Sequence, residues 1–221
     1  MKRIAPGLAE GDNGTVLVAF DLLGTFAFAL SGVVLARRSH LDLFGAFVLS
    51  FAAGTAGGLA RDVLLGATPP LALTDWRYPA VALVATALGY LWPALLDRFG
   101  RPITMLDAAG LGLFAVTGTW RALDLGAPAP TALALGVLTG VGGGVARDLL
   151  VARIPVVLRR EVYALAAAVG SALVIIANEV EVERAFAGTV AVIVTCGLRL
   201  VAAFRNWHLP DVGGRDQRHV T

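Results

Sequence analysis

The segment Gly54-Thr-Ala-Gly-Gly-Leu-Ala-Arg-Asp-Val-Leu-Leu-Gly66 sets clustered glycines, an arginine and an aspartate inside an apolar run. A second segment, Gly140-Val-Gly-Gly-Gly-Val-Ala-Arg-Asp-Leu-Leu-Val-Ala152, repeats it, with Gly54 on Gly140, Arg61 on Arg147 and Asp62 on Asp148, each 86 residues apart. A hydrophobic helix is therefore weakened and charged at the same point twice. At the same offset Asp21 falls on Asp107, Gly24 on Gly110, Phe28 on Phe114, Gly32 on Gly118 and Pro69 on Pro155. Agreement without a gap over such a length marks an internal duplication, with a period too long for a solenoid repeat.

The solvent for such a chain follows from its charge content. The 221 residues are 57% hydrophobic and 15% charged, with mean hydropathy +0.75, where a soluble domain carries about 25% charge. Several apolar runs approach the length of a bilayer crossing. The sequence predicts an all-α polytopic membrane protein with seven transmembrane helices, near 15–36, 43–65, 79–96, 103–122, 131–151, 162–177 and 185–204. These divide into an N-terminal segment 1–14, a first three-helix repeat 15–98, a second repeat 101–178, a seventh helix 183–206 and a flexible tail 207–221. Three is odd, so the second repeat enters the membrane from the opposite side. The repeats are expected to be inverted about a pseudo-two-fold axis in the membrane plane. The loops holding Arg37, Arg38, Arg98, Arg101, Arg153, Arg159, Arg160 and Arg205 form the basic side. The positive-inside rule then puts the N-terminus outside and the C-terminus in the cytoplasm.

Other functions find little support. One cysteine, Cys196, excludes an intramolecular disulfide and a cysteine-based metal site, and the three histidines lack ligand spacing. No basic stripe or aromatic platform suggests nucleic acid. No HExxH, nucleophile elbow or P-loop lysine suggests an enzyme. Neither a metal nor a cofactor is expected.

Gly54, Gly57 and Gly58 lie mid-span in the second helix, and Gly140, Gly142, Gly143 and Gly144 in the fifth. Each glycine costs about 1 kcal/mol of helix propensity relative to alanine. They serve either close packing of helices or a kinked or unwound hinge beside a polar pathway, which is tolerated at that depth only where it is buried in protein or wet. Asp21, Arg61, Asp62, Asp107, Arg147 and Asp148 are the candidate pathway or gating charges. A central charge costs about 2.5–3.5 kcal/mol on the insertion scale, so each needs a partner or water. Topology pairs Asp21 with Arg61 and Asp107 with Arg147. Neighbours such as Arg61 and Asp62 point about 100° apart on a helix, which directs one inward and the other to solvent. Ser31, Ser50, Thr55, Thr117 and Thr139 are secondary lining candidates, and Arg199 is read as snorkelling at the inner end of the last helix.

Two three-helix units, each with a glycine-rich second helix running into Ala-Arg-Asp, followed by a seventh helix, resemble the trimeric intracellular cation (TRIC) channel family and its prokaryotic members. Gly54–Gly66 and Gly140–Ala152 carry the resemblance, which covers roughly residues 15–205. It implies a homotrimer with one pore per subunit, conduction of monovalent cations, mainly K⁺, between the second and fifth helices, and contact with membrane lipids, anionic ones included. Some members carry a pore lysine where this chain has Arg147. The resemblance implies a bacterial inner (plasma) membrane location. The leading expectation is a passive cation channel with Asp62 and Asp148 concentrating cations at its two mouths. The second is a secondary transporter for a small zwitterion such as glycine, and a structural scaffold is the third.

Overall fold

The computed structural model describes residues 12–94, 101–158, 162–205 and 207. The expected segment 1–14 and tail 207–221 lie almost wholly outside the described residues. The described chain is helical: α1 (Asp12–Arg38), α2 (Leu43–Leu64), α3 (Leu71–Thr74), α4 (Arg77–Leu91), α5 (Pro102–Asp124), α6 (Ala129–Leu150), α7 (Val162–Glu179) and α8 (Arg184–Phe204). A 3-10 turn, Val156–Leu158, separates α6 from α7. Among the described residues six helices, α1, α2, α5, α6, α7 and α8, are long and apolar enough to cross a membrane.

The expected third span, 79–96, is corrected to the 15 residues of α4. Its helix leaves α geometry at Trp92, with φ −124° and ψ 58°, immediately before Pro93. Proline disfavours α backbone in the residue before it and removes an N–H from the ladder. Residues 95 and 96 lie outside the described residues.

Local chemistry sets the helix ends. Asp42 caps α2 by accepting from the Gly45 amide at 2.7 Å, and Glu183 caps α8 through the Ala185 and Phe186 amides. Past α2 the chain turns through Gly66 at φ +69°, and past α6 through Ala152 at φ +55°. The next amides return to the helices, Ala67 to the Asp62 carbonyl at 2.8 Å and Arg153 to the Asp148 carbonyl at 2.9 Å. This is a left-handed helix stop in both places, made by glycine once and by a strained alanine once.

Helices α1, α2 and α4 pack on one another, as do α5, α6 and α7, and α8 lies against α5 and α7. The two sets meet where α1 crosses α5 and α2 crosses α6. At the α1–α5 crossing the rings of Phe28 and Phe114 lie 5.5 Å apart. The Phe114 ring sits on Gly24 and the Phe28 ring on Gly110, where a Cβ would collide with each ring. At the α2–α6 crossing a Cβ on Gly57 would strike the Thr139 carbonyl oxygen, and one on Gly143 the Ala53 carbonyl oxygen. Gly142 lies against the Gly57 backbone. The ring contacts and the two carbonyl contacts each have their mate 86 residues away, exchanged between the two sets.

Candidate functional site: two buried charge clusters

The expectation of an unwound turn at the glycines is overturned, since α2 and α6 run as unbroken α-helix through them. Their smallness serves approach instead. Gly54 sits under the Thr25 carbonyl and Gly140 under the Leu111 carbonyl, inside each set. Gly57, Gly142 and Gly143 make the contact between sets. Gly58 and Gly144 take neither part and open onto clefts.

One turn further along α2, Arg61 enters the first cluster. Its Nε donates to Asp62 Oδ1 at 2.9 Å and its Nη1 to Asp21 Oδ1, on α1, at 3.4 Å. The hydroxyl of Tyr78, on α4, donates to the other oxygen of Asp21. Asp62 Oδ2 accepts the amide of Leu71, the first residue of α3, at 3.0 Å. Arg147 on α6 builds the second cluster on the same plan. It makes a bidentate pair with Asp107 on α5, through Nη1 and Nη2. Its Nε and Nη2 reach Asp148 Oδ1 at 3.0 and 2.7 Å, and Nη1 also donates to Ser31 Oγ on α1 at 2.7 Å. Asp148 Oδ2 accepts the amide of Val156, the first residue of the 3-10 turn, at 3.1 Å. All six charged residues are at most 4% exposed.

The expected pairs, Asp21 with Arg61 and Asp107 with Arg147, are together. The expected separation of each Arg from its Asp neighbour is not. A helical wheel gives the direction of Cβ, whereas a guanidinium on three methylenes curls back to the carboxylate beside it. The amides of Leu71 and Val156 hold Asp62 and Asp148 in place for it. Asp62 and Asp148 are for the same reason enclosed in hydrogen bonds and do not stand exposed at mouths. Arg199 does not snorkel. It is 3% exposed, with its guanidinium 4.8 Å from the ring centre of Tyr163, a cation–π contact.

Of the lining candidates, Ser31 joins the second cluster. Thr55 lines the first cleft while its hydroxyl bonds the Phe51 carbonyl at 2.6 Å. Thr139 bonds its own helix at Leu135, and the hydroxyls of Ser50 and Thr117 have no partner among the described residues. Sequence reading missed Tyr78 and Tyr163. They are equivalent at an offset of 85, because the chain after Gly66 is one residue longer than after Ala152. Pro70, buried just before Leu71, is for that reason the structural mate of Pro155, rather than Pro69. A search for tyrosine at 85 as well as 86 residues would have found the pair.

Each cluster faces a cleft. The first, with about 10 Å³ of room for water, is bounded by Asp21, Gly54, Thr55, Gly58, Arg61 and Tyr78 among others. The second, closed to water, lies among Asp107, Gly144, Arg147, Asp148 and Tyr163. The glycine contact of α2 and α6 lies between the sets that hold them.

A chain whose described residues are helical, with six bilayer-length helices and arginine–aspartate clusters buried between them, is a polytopic membrane protein. The comparisons specify it further. The chain belongs to the family described as Glycine transporter, which matches residues 18–94 and 104–179, two stretches that begin 86 and end 85 residues apart. A UPF0126 membrane protein of Deinococcus radiodurans is 42% identical over 169 residues, 76% of either chain. The UPF0126 inner membrane protein YadS of Escherichia coli is 36% identical over 193 residues, 86% of this chain and 91% of its own. Among solved structures, the TRIC trimeric intracellular cation channel orthologue from Rhodobacter sphaeroides superposes with TM-score 0.82 at 33% identity, over 87% of this chain and all of its own. A TRIC cation channel structure solved for the basis of conductance gives 0.78 at 34% identity, over 92% and 98%. The resemblance to the prokaryotic TRIC channels therefore holds in sequence and in fold.

Proposed function

We propose that the chain is a passive cation channel, conducting monovalent cations, mainly K⁺, with one pathway in each subunit of a homotrimer. The observation that carries this reading is the α2–α6 crossing. Two charged clefts flank a contact in which glycines meet the carbonyl groups of the facing helix directly, with the Phe28 ring beside Gly143. The structural likeness to cation channels supports it. In this reading the two sets are inverted three-helix repeats, α4 is the third of seven spans and α8 the seventh. Gly54, Gly57, Gly58, Gly140, Gly142, Gly143 and Gly144 shape the constriction. Asp21, Arg61, Asp62, Asp107, Arg147 and Asp148 are the gating charges, and Ser31, Ser50, Thr55, Thr117 and Thr139 the polar lining. The two clusters carry two carboxylates to each guanidinium, so each keeps a net negative charge that favours a cation once the contact opens. The chain sits in the bacterial inner membrane among its lipids, N-terminus outside and C-terminus cytoplasmic. Planar-bilayer recording of purified protein in KCl tests this. Discrete currents, reduced by Asp148→Asn, are expected; their absence from active, folded protein sinks it.

A second reading has its own observation. Arg61 makes only two of its five possible N–H bonds among the described residues, and it lines the larger cleft. A guanidinium with spare donors beside two carboxylates suits a small zwitterion, in line with the family's description. Saturable glycine uptake into proteoliposomes without single-channel currents would select it.

A further inference from the structure

Three buried hydroxyls, those of Ser50, Thr117 and Tyr163, have no hydrogen-bond partner among the described residues, and the last two have hydroxyl-bearing repeat mates. An unmade hydrogen bond on a buried group costs about 1–3 kcal/mol. Neither position is arbitrary. The repeat mate of Tyr163 is Tyr78, whose hydroxyl holds Asp21. The repeat mate of Thr117 is Ser31, whose hydroxyl holds Arg147. Each idle group is the counterpart of a working one: Tyr163 lines the second cleft with Asp107 and Arg147, and Thr117 holds on α5 the repeat position that Ser31 holds on α1.

The arginines differ in the matching sense. Arg147 spends all five N–H groups, on Asp107, Asp148 and Ser31. Arg61 spends two, and its link to Asp21 is a single contact at 3.4 Å. Where the tyrosine holds the helix-borne aspartate, the arginine is loose; where the arginine grips it with two bonds, the tyrosine is idle. One aspartate thus has two alternative partners, and the two halves of the molecule show the alternatives side by side.

We propose that the two clusters are two bonding states of one device and that the chain exchanges them. In the exchanged state Tyr163 takes Asp107 and Thr117 takes Arg61, while Tyr78 falls idle and Ser31 keeps only its bond to the Phe28 carbonyl. At the glycine contact of α2 and α6 the two backbones meet directly, and a shift between the sets carries the Phe28 and Phe114 rings across Gly110 and Gly24. The cleft beside the loose arginine has about 10 Å³ of room for water and the other none, so exchange opens the second cleft at the expense of the first. Helix α8 has no repeat mate, and its Arg199 against the Tyr163 ring gives the device a direction. The proposal holds for a cation or a zwitterion as passenger.

The test reads shape and not cargo. In reconstituted protein carrying Cys196→Ala, one reporter cysteine is placed in the first cleft (Thr55→Cys) or in the second (Val141→Cys), and labelling by a small methanethiosulfonate reagent is timed. Tyr163→Phe and Thr117→Val remove groups used only in the exchanged state. Each is expected to speed labelling at 55 and slow it at 141, by about threefold or more. Tyr78→Phe removes a group used only in the present state, and Ser31→Ala removes the bond to Arg147 made only there; both are expected to do the reverse. If one member of a class does not fold, the other carries the test. Unchanged rates, or shifts in one direction for all four variants, overturn the proposal, whatever the outcome of the conductance and uptake assays.

Discussion

The two charge clusters share a plan and differ in how completely it is filled. Both set an arginine between an aspartate of the same helix and one from the preceding long helix, and both fix the same-helix aspartate with the first amide of the following short turn. Only Arg147 receives a ligand from the other set, Ser31. The same residue types therefore give a closed ion pair in one half and a loose one in the other. Surroundings, and not motif, decide how much of the charge is neutralised locally.

Removing the arginines breaks the comparison most strongly. Arg147→Ala leaves Asp107 and Asp148 buried without their cation and is expected to cost about 3–5 kcal/mol. Arg61→Ala is expected to cost less, because Tyr78 and the Leu71 amide still hold its aspartates. Thermal unfolding in detergent ranks the two, and equal losses would mean that the difference in bonding carries no energy. Next come the glycines. Gly57→Ala or Gly143→Ala forces a methyl into a carbonyl of the facing helix and is expected to cost about 1–3 kcal/mol. Gly58→Ala meets only the Arg61 side chain at 3.6 Å. It is expected to be neutral or stabilising by about 1 kcal/mol, through helix propensity, while narrowing the first cleft. The smallest effect lies outside both clusters. The Arg77 side chain, hydrogen-bonded to Asp75, holds that carboxyl below its usual range. That stabilisation is present above the ordinary carboxylate range and is lost as pH falls through the lowered value. Asp75→Asn is expected to cost at most about 1 kcal/mol near neutral pH, with a melting difference that vanishes in acid.

The duplication was legible because the motif chemistry is rigid in spacing from Asp21 to Asp62, and the same register carried the two inter-helix ion pairs. It failed where the chain turns. The connection after Gly66 holds one residue more than that after Ala152, so a gap-free comparison misaligns Pro69 and hides the correspondence of Tyr78 with Tyr163. Arg199 was misread for a different reason. Its partner, the Tyr163 ring, comes from another helix, and nothing in the periodicity of α8 announces it. The glycines posed a third problem. Hinge and packing surface look alike in sequence, and only the positions of the Thr139 and Ala53 carbonyls tell which glycines face a neighbour and which face a cleft.

Where α2 meets α6, main chain touches main chain. A barrier built from side chains is crossed by rotamer flips in picoseconds to nanoseconds, whereas displacement of whole helices belongs to microseconds and milliseconds. Any opening between Gly57 and Gly143 is therefore a collective event with a measurable dwell time. Electrical recordings should resolve it as discrete steps, and the dwell times will report how firmly two backbones adhere.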